Sequence, residues 1–119
     1  MKNQRAKLLK TMAMTKSKRL KLYVSLPISG FDMDYVRTRC EQAREKYILE
    51  GYDVVTPLDL TKHCPDAPYN VCIGRCIEAL LSCDKAVFLV GAADSNGCRV
   101  ERYAASIYGI ETFYDDDIR

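Results

Sequence analysis

Short β-branched runs alternating with helical periods predict an α/β domain built on a parallel sheet. Three observations carry that expectation. Apolar runs at residues 21–26, 52–56, 84–90 and 110–114 are each too short for a helix and are rich in Val, Ile, Tyr and Phe. Segments with helical spacing separate them, and Gly51 and Gly109 stand where two of those helices should stop. The chain has 119 residues, enough for one domain with a single core. The order β-α-β-α-β-α-β with right-handed crossovers gives a flavodoxin-like or Rossmann-like three-layer domain with a parallel sheet of four or five strands.

Residues 21–26 form the first strand candidate, and Pro27-Ile-Ser-Gly30 reads as the loop it feeds. Ser25, Ser29 and Gly30 are available there to touch a ligand, although a plain strand-to-helix turn has the same composition. From Asp32 or Asp34 to Glu50, Val36, Cys40, Ala43 and Tyr47 recur at i, i+4, i+7 and i+11, which is an amphipathic helix with an acidic start. Arg37, Arg39 and Arg44 are expected on its wet side, with Arg37 close enough to the loop to meet a phosphate.

The second strand, residues 52–56, runs into Pro57. Residues 58–68, with Pro65, Asp66 and Pro68, read as an irregular loop able to cover a site, and His63 is expected to be a solvated member of it. A helix over residues 69–83 turns Ile73, Ile77, Leu80 and Leu81 to the core, and the third strand follows over residues 84–90.

After that strand come Asp94, Ser95 and Asn96, three residues of the helix-capping type, and then Gly97, which permits close approach of a ligand. A helix starting near Cys98 and ending at Tyr108 should bury Val100, Ala104 and Ile107 on one stripe. Its start offers unpaired N–H groups and the positive end of a dipole, an anion site, with Glu101 one turn inside. A solvated glutamate stabilised by the dipole fits the same residues. What favours a functional Glu101 is convergence. The loops after strands one and three both fall at the carboxyl end of the sheet, where such folds bind ligands.

Charge is unevenly spread. Eight of the 18 Lys/Arg and none of the 16 Asp/Glu lie in residues 1–21, which leaves the remainder at a formal −6 and unlike a basic nucleic-acid-binding domain. Residues 1–20 are therefore read as a basic, disordered arm and residues 21–119 as the domain. The arm lacks the apolar run and cleavage site of a signal peptide, and no run of about 18 apolar residues occurs, so a cytoplasmic location is expected. Six cysteines in such a context are expected to be reduced. His63-Cys64 ahead of Cys72-x-x-x-Cys76 is the one arrangement with zinc-like types, but compact Cys-x-x-Cys knuckles are lacking, and neither metal nor cofactor is expected.

Two segments carry a family resemblance. Tyr23-Val-Ser-Leu-Pro-Ile-Ser-Gly30 resembles the Y-x-[SA]-G-P-[IL]-x-G opening of nucleoside 2-deoxyribosyltransferase-like proteins. Ser95-Asn-Gly97-x-x-x-Glu101, followed by Ala104-Ala105, resembles their [SD]-x-G-x-x-x-E-x-x-x-A segment, and the register between the two covers residues 21–114. The match is nearest to small bacterial and phage members of unknown function, and the deoxynucleoside 5′-monophosphate N-glycosidases are related. The resemblance implies retaining glycosyl transfer at C1′ of a 2′-deoxynucleoside or its 5′-monophosphate. Glu101 is the nucleophile, Tyr23 the hydroxyl beside it, and Ser25, Ser29, Gly30, Ser95 and Gly97 face sugar and phosphate. It further implies a small-molecule nucleoside or nucleotide as partner, a homodimer or larger homo-oligomer, and neither membrane nor nucleic-acid polymer.

Two positions depart from the pattern. Cys76 stands where family enzymes often carry an Asp that assists the leaving base, and Leu26 stands where Gly is usual. They keep open a catalytically weak or inactive nucleotide-binding module with the same pocket. A flavodoxin-like scaffold for a protein partner is the third reading.

Overall fold

The computed structural model describes residues 19–61 and 66–119. The expectations for the basic arm up to residue 18, and for His63 and Cys64, lie outside the described residues.

Four parallel strands, β1 (Lys21–Ser25), β2 (Asp53–Val55), β3 (Lys85–Leu89) and β4 (Glu111–Asp115), form one sheet in the order β2-β1-β3-β4. Register runs Tyr23↔Val55 and Tyr23↔Ala86 across β1, and Phe88↔Tyr114 between β3 and β4. This is the flavodoxin-like strand order, with α helices on both faces, so the three-layer expectation holds with four strands.

Period-two geometry sends alternate β1 side chains to opposite layers. Leu22, Val24 and Leu26 join Val36, Cys40, Ala43 and Tyr47 of α1 (Met33–Leu49) in one core. Tyr23 joins Ala86, Phe88 and Leu80 in the other, beneath α3 (Tyr69–Leu81) and α4 (Asn96–Ile107). A strand buried on both faces must be apolar almost throughout, which is why β1 and β3 read as continuous runs. The buried polar exception on β1 is Ser25, on the Tyr23 side.

Local signals fix the helix ends. Asp32 caps α1, its Oδ1 accepting from Asp34 N at 2.8 Å, and Gly51 stops it at φ +99°. Residues 58–61, read from sequence as irregular, belong to the short helix α2 (Pro57–Thr61). Pro57 suits a first helical position, and Thr56-x-x-Asp59 has capping-box spacing. Thr56 N donates to Asp59 Oδ2 at 2.9 Å, and Arg44 clamps the same carboxylate.

Three side-chain expectations are corrected. Val100 and Ile107 are 50% and 58% exposed, while α4 buries Cys98, Glu101 and Ala105. Arg39 is only 2% exposed, because its Nη2 donates to the carbonyls of Val90 (2.7 Å) and Ile118 (3.2 Å) beyond the strand ends. Leu81 is exposed, leaving Leu80 as the fully buried side chain at the end of α3. No helix among the described residues is long and apolar enough to cross a membrane.

Candidate active site

β1 connects outward to β2 through α1, whereas β3 connects the other way to β4 through α4. Adjacent strands whose connections diverge leave a crevice at their carboxyl ends. The segment after β1 and the loop after β3 line it, and Pro27 packs so close to Gly91 that a Cβ there would stand 3.2 Å from Pro27 Cγ. Gly91 also has φ +91°, so the turn out of β3 depends on glycine twice over.

From that turn a single 3₁₀ turn (Ala92–Asp94) leads to Ser95, the N-cap of α4, whose Oγ accepts from Cys98 N at 3.4 Å. The remaining N–H groups of the first turn point into the crevice end of the helix, where the dipole is positive. Gly97 leaves room there: an added Cβ would stand 3.3 Å from the Tyr69 hydroxyl and 3.7 Å from Ile73 Cδ1.

One turn further, Glu101 points inward and is 4% exposed. Its Oε1 accepts from the Ser25 hydroxyl at 3.0 Å, while Oε2 has no hydrogen-bond partner. Tyr23, two residues before Ser25 and on the same face of β1, places its buried hydroxyl beside Glu101 and the Cys76 thiol. That hydroxyl completes no hydrogen bond of good geometry with either. Burial pushes the Glu101 carboxyl up from the ordinary 4.5 to about 7, against the opposing influence of Tyr23 and Ser25. Burial, then the neighbouring Glu101 charge, holds Tyr23 well above its ordinary range, so it stays a neutral phenol. Cys76 is pushed up to about 11 by burial and stays a thiol.

Glu101 opens onto a cavity of about 360 Å³, a size suited to a small molecule. Ser29, Tyr69, Ser95 and Gly97 line it at the α4 end and also line an adjoining outer cavity with Pro27 and Phe31. Leu26, Ile28, Met33, Leu58, Ile73 and Cys76 also line it. The two cavities have Glu101 and Asp94 as their charged side chains among the described residues. A wider groove on the outer face of α4, lined by Arg99, Val100 and Tyr103, contains none of these buried groups.

The structure thus brings Tyr23, Ser25, Ser29, Ser95, Gly97 and Glu101 to one crevice. Gly30 stands apart, at a turn with φ +86° and nothing within 4 Å of where a Cβ would be, and it does not line the cavity. Arg37 is also apart, exposed and paired with Asp34 at 2.7 Å. Leu26 adopts no positive φ, so it is unstrained and acts as a wall. Sequence reasoning missed Met33 and Tyr69 as lining residues, while Leu58 belongs to the segment expected to cover the site. The capping-box signal at Thr56 would have placed α2, and with it Leu58, against the site.

No curated protein and no solved structure matches the chain. Residues 20–114 match a family model described as Domain of unknown function (DUF4406), and with most of its length matched the chain belongs to that family.

Proposed function

We propose that the chain is an N-glycosidase or deoxyribosyltransferase acting on 2′-deoxynucleosides or their 5′-monophosphates. The observation that supports this reading is the Glu101 carboxylate. It is buried, held on Oε1 by Ser25 and unpartnered on Oε2, and its residue lines a small-molecule cavity. A structural glutamate would complete its hydrogen bonds, since an unpaired buried oxygen costs about 1–3 kcal/mol.

In this reading the Glu101 carboxylate attacks C1′ as the C1′–N bond to the base breaks, through an oxocarbenium-like transition state, and a deoxyribosyl ester forms on Glu101. Water or a second base then takes the sugar and frees the carboxylate. Ser25 aims the carboxylate, the neutral Tyr23 hydroxyl stands beside the reacting oxygen, and a 5′-phosphate meets Ser95, Ser29 and the N–H groups around Gly97. Asp94 on the outer cavity opposes an anion, so nucleosides belong beside nucleotides in any assay.

A second reading, a nucleotide-binding module with little turnover, is favoured by one observation. Cys76, where the resembled enzymes often carry an acid, is a neutral thiol. The test is free base, measured by chromatography after incubation with each of the four 2′-deoxynucleosides and their 5′-monophosphates. Release that disappears in Glu101→Gln supports the enzyme. No release, with ligands still raising the melting temperature, supports the module.

A further inference from the structure

Two cavities adjoin in the crevice, and the reading above uses one of them. The inner, of about 360 Å³, is lined by Glu101; the outer, of about 560 Å³, is lined by Phe31, Asp94 and Asn96. Ser29, Tyr69, Ser95 and Gly97 line both, so the groups that would meet a 5′-phosphate stand at the junction. A ligand with its sugar at Glu101 and its phosphate at those groups has the outer cavity next beyond the phosphate.

That outer cavity is furnished for an aromatic group. Phe31 and Tyr69 line it and are 48% and 59% exposed. The Phe31 ring is braced: its centroid lies 6.0 Å from that of Tyr35, and the Arg39 guanidinium lies 5.5 Å from the Tyr35 centroid. Arg39 is in turn tied to the carbonyls of Val90 and Ile118, and Phe31 N donates to Ile28 O at 3.1 Å. A ring exposed yet fixed in this way costs little to order when a ligand stacks on it. Asp94 and Asn96 add a carboxylate and an amide, groups that pair with the polar edge of a base. Asp94 also bears on charge. A phosphomonoester carries about two negative charges at pH 7 and would meet Asp94 close to its own donors. Esterified to a second group, the phosphate keeps half of that charge.

Resting on the glycosidase reading for which sugar faces Glu101, we propose that the outer cavity is a subsite for a second nucleoside. It is joined through a phosphodiester to the 5′-oxygen of the deoxynucleoside held at Glu101. The ligand is then a dinucleotide, with its diester at the shared donors and its second base against Phe31 and Tyr69. A link through the 3′- or the 5′-oxygen of the second nucleoside presents the same chemistry to these residues.

The test is isothermal titration calorimetry on the full chain carrying Glu101→Gln, which should bind substrate without consuming it. For each of the four bases the ligands are the 2′-deoxynucleoside 5′-monophosphate, its methyl ester, and its esters with the 3′- or the 5′-hydroxyl of deoxyadenosine. The methyl ester should bind at least as tightly as the monophosphate. One of the two dinucleotides should bind at least about tenfold tighter than the methyl ester, the gain expected of one base stacked on aromatic side chains, and the tighter of the two names the linkage. Phe31→Ala, at a half-exposed position, should remove most of that advantage. Wild-type kcat/KM for base release makes the same comparison with the carboxylate in place. Dinucleotides no tighter than the methyl ester, or an advantage that survives Phe31→Ala, would overturn the inference, while base release from nucleoside or monophosphate would leave the glycosidase reading intact. Tight dinucleotide binding with no release from any substrate would keep the subsite and overturn the glycosidase reading.

Discussion

Replacing Glu101 by Gln should make the protein more stable at alkaline pH and leave it nearly unchanged in acid. In the fold the carboxyl titrates near 7, pushed up by burial, against 4.5 when unfolded. Between those values the native state holds a proton that the unfolded state has released, so stability falls as pH rises through this window. The gap of about 2.5 pH units, at about 1.4 kcal/mol each, gives a cost of about 3.5 kcal/mol once Glu101 is fully ionised. Gln is isosteric and can keep the Ser25 bond on Oε1 while carrying no charge. Part of the gain is lost to burying the amide, which leaves about 2 kcal/mol. For a domain of this size that amounts to a rise in Tm of about 8 °C or more at pH 8.5, and a change near zero at pH 4.5. Differential scanning calorimetry of both proteins at the two pH values measures it. An equal difference at both, or a wild type more stable than the variant at pH 8.5, would refute the claim that a buried, strained charge occupies this position.

Further outcomes follow from the same geometry. The nucleophile must be ionised, so kcat/KM for base release should climb with pH to a plateau with an apparent pKa of about 7, and a profile flat from pH 5 to 9 would remove Glu101 from that role. Ser25→Ala deletes the 3.0 Å bond that favours the ionised carboxylate, so this midpoint should move up by about one pH unit; an unmoved midpoint counts against Ser25 as its partner. Gly97→Ala puts a Cβ 3.3 Å from the Tyr69 hydroxyl at the first turn of α4, and should raise KM for a 5′-monophosphate about tenfold while sparing the nucleoside. Away from the site, Asp115 is buried, yet hydrogen bonds from Lys46 and Tyr47 hold it below the usual carboxylate range. Asp115→Ala should cost about 1–3 kcal/mol, read from the urea midpoint at pH 7, because it strands a buried tyrosine hydroxyl.

The fold was legible because its signals are local and redundant. β1 and β3 announce themselves as runs apolar on both faces, and Asp32 and Gly51 bracket α1 by capping chemistry that any sequence shows. The crevice was legible too, since strand order places the Ser25–Gly30 and Gly91–Gly97 segments together once the sheet is parallel. What misled was α4. Hydrophobic spacing selects Val100, Ala104 and Ile107, but the helix turns Cys98, Glu101 and Ala105 inward. A carboxylate and small side chains occupy the buried stripe, so the more apolar residues end up outside. The candidate site here reverses the pattern that hydrophobicity would write. Arg39 misled for a related reason. Its guanidinium is buried not by a carboxylate but by two backbone carbonyls at the strand ends, acceptors that no side-chain pattern reveals.

In the proposed reaction the Glu101 carboxylate bonds covalently to C1′ of a 2′-deoxyribosyl group. The most direct measurement is mass spectrometry of the residue-101 peptide, taken from protein mixed with substrate and quenched in acid within one turnover. The expected result is a peptide heavier by one 2-deoxyribosyl group, or its 5-phosphate, that forms together with the first equivalent of free base and is missing in Glu101→Gln. Base released with residue 101 unmodified at every time point, or an adduct on another residue, would contradict it.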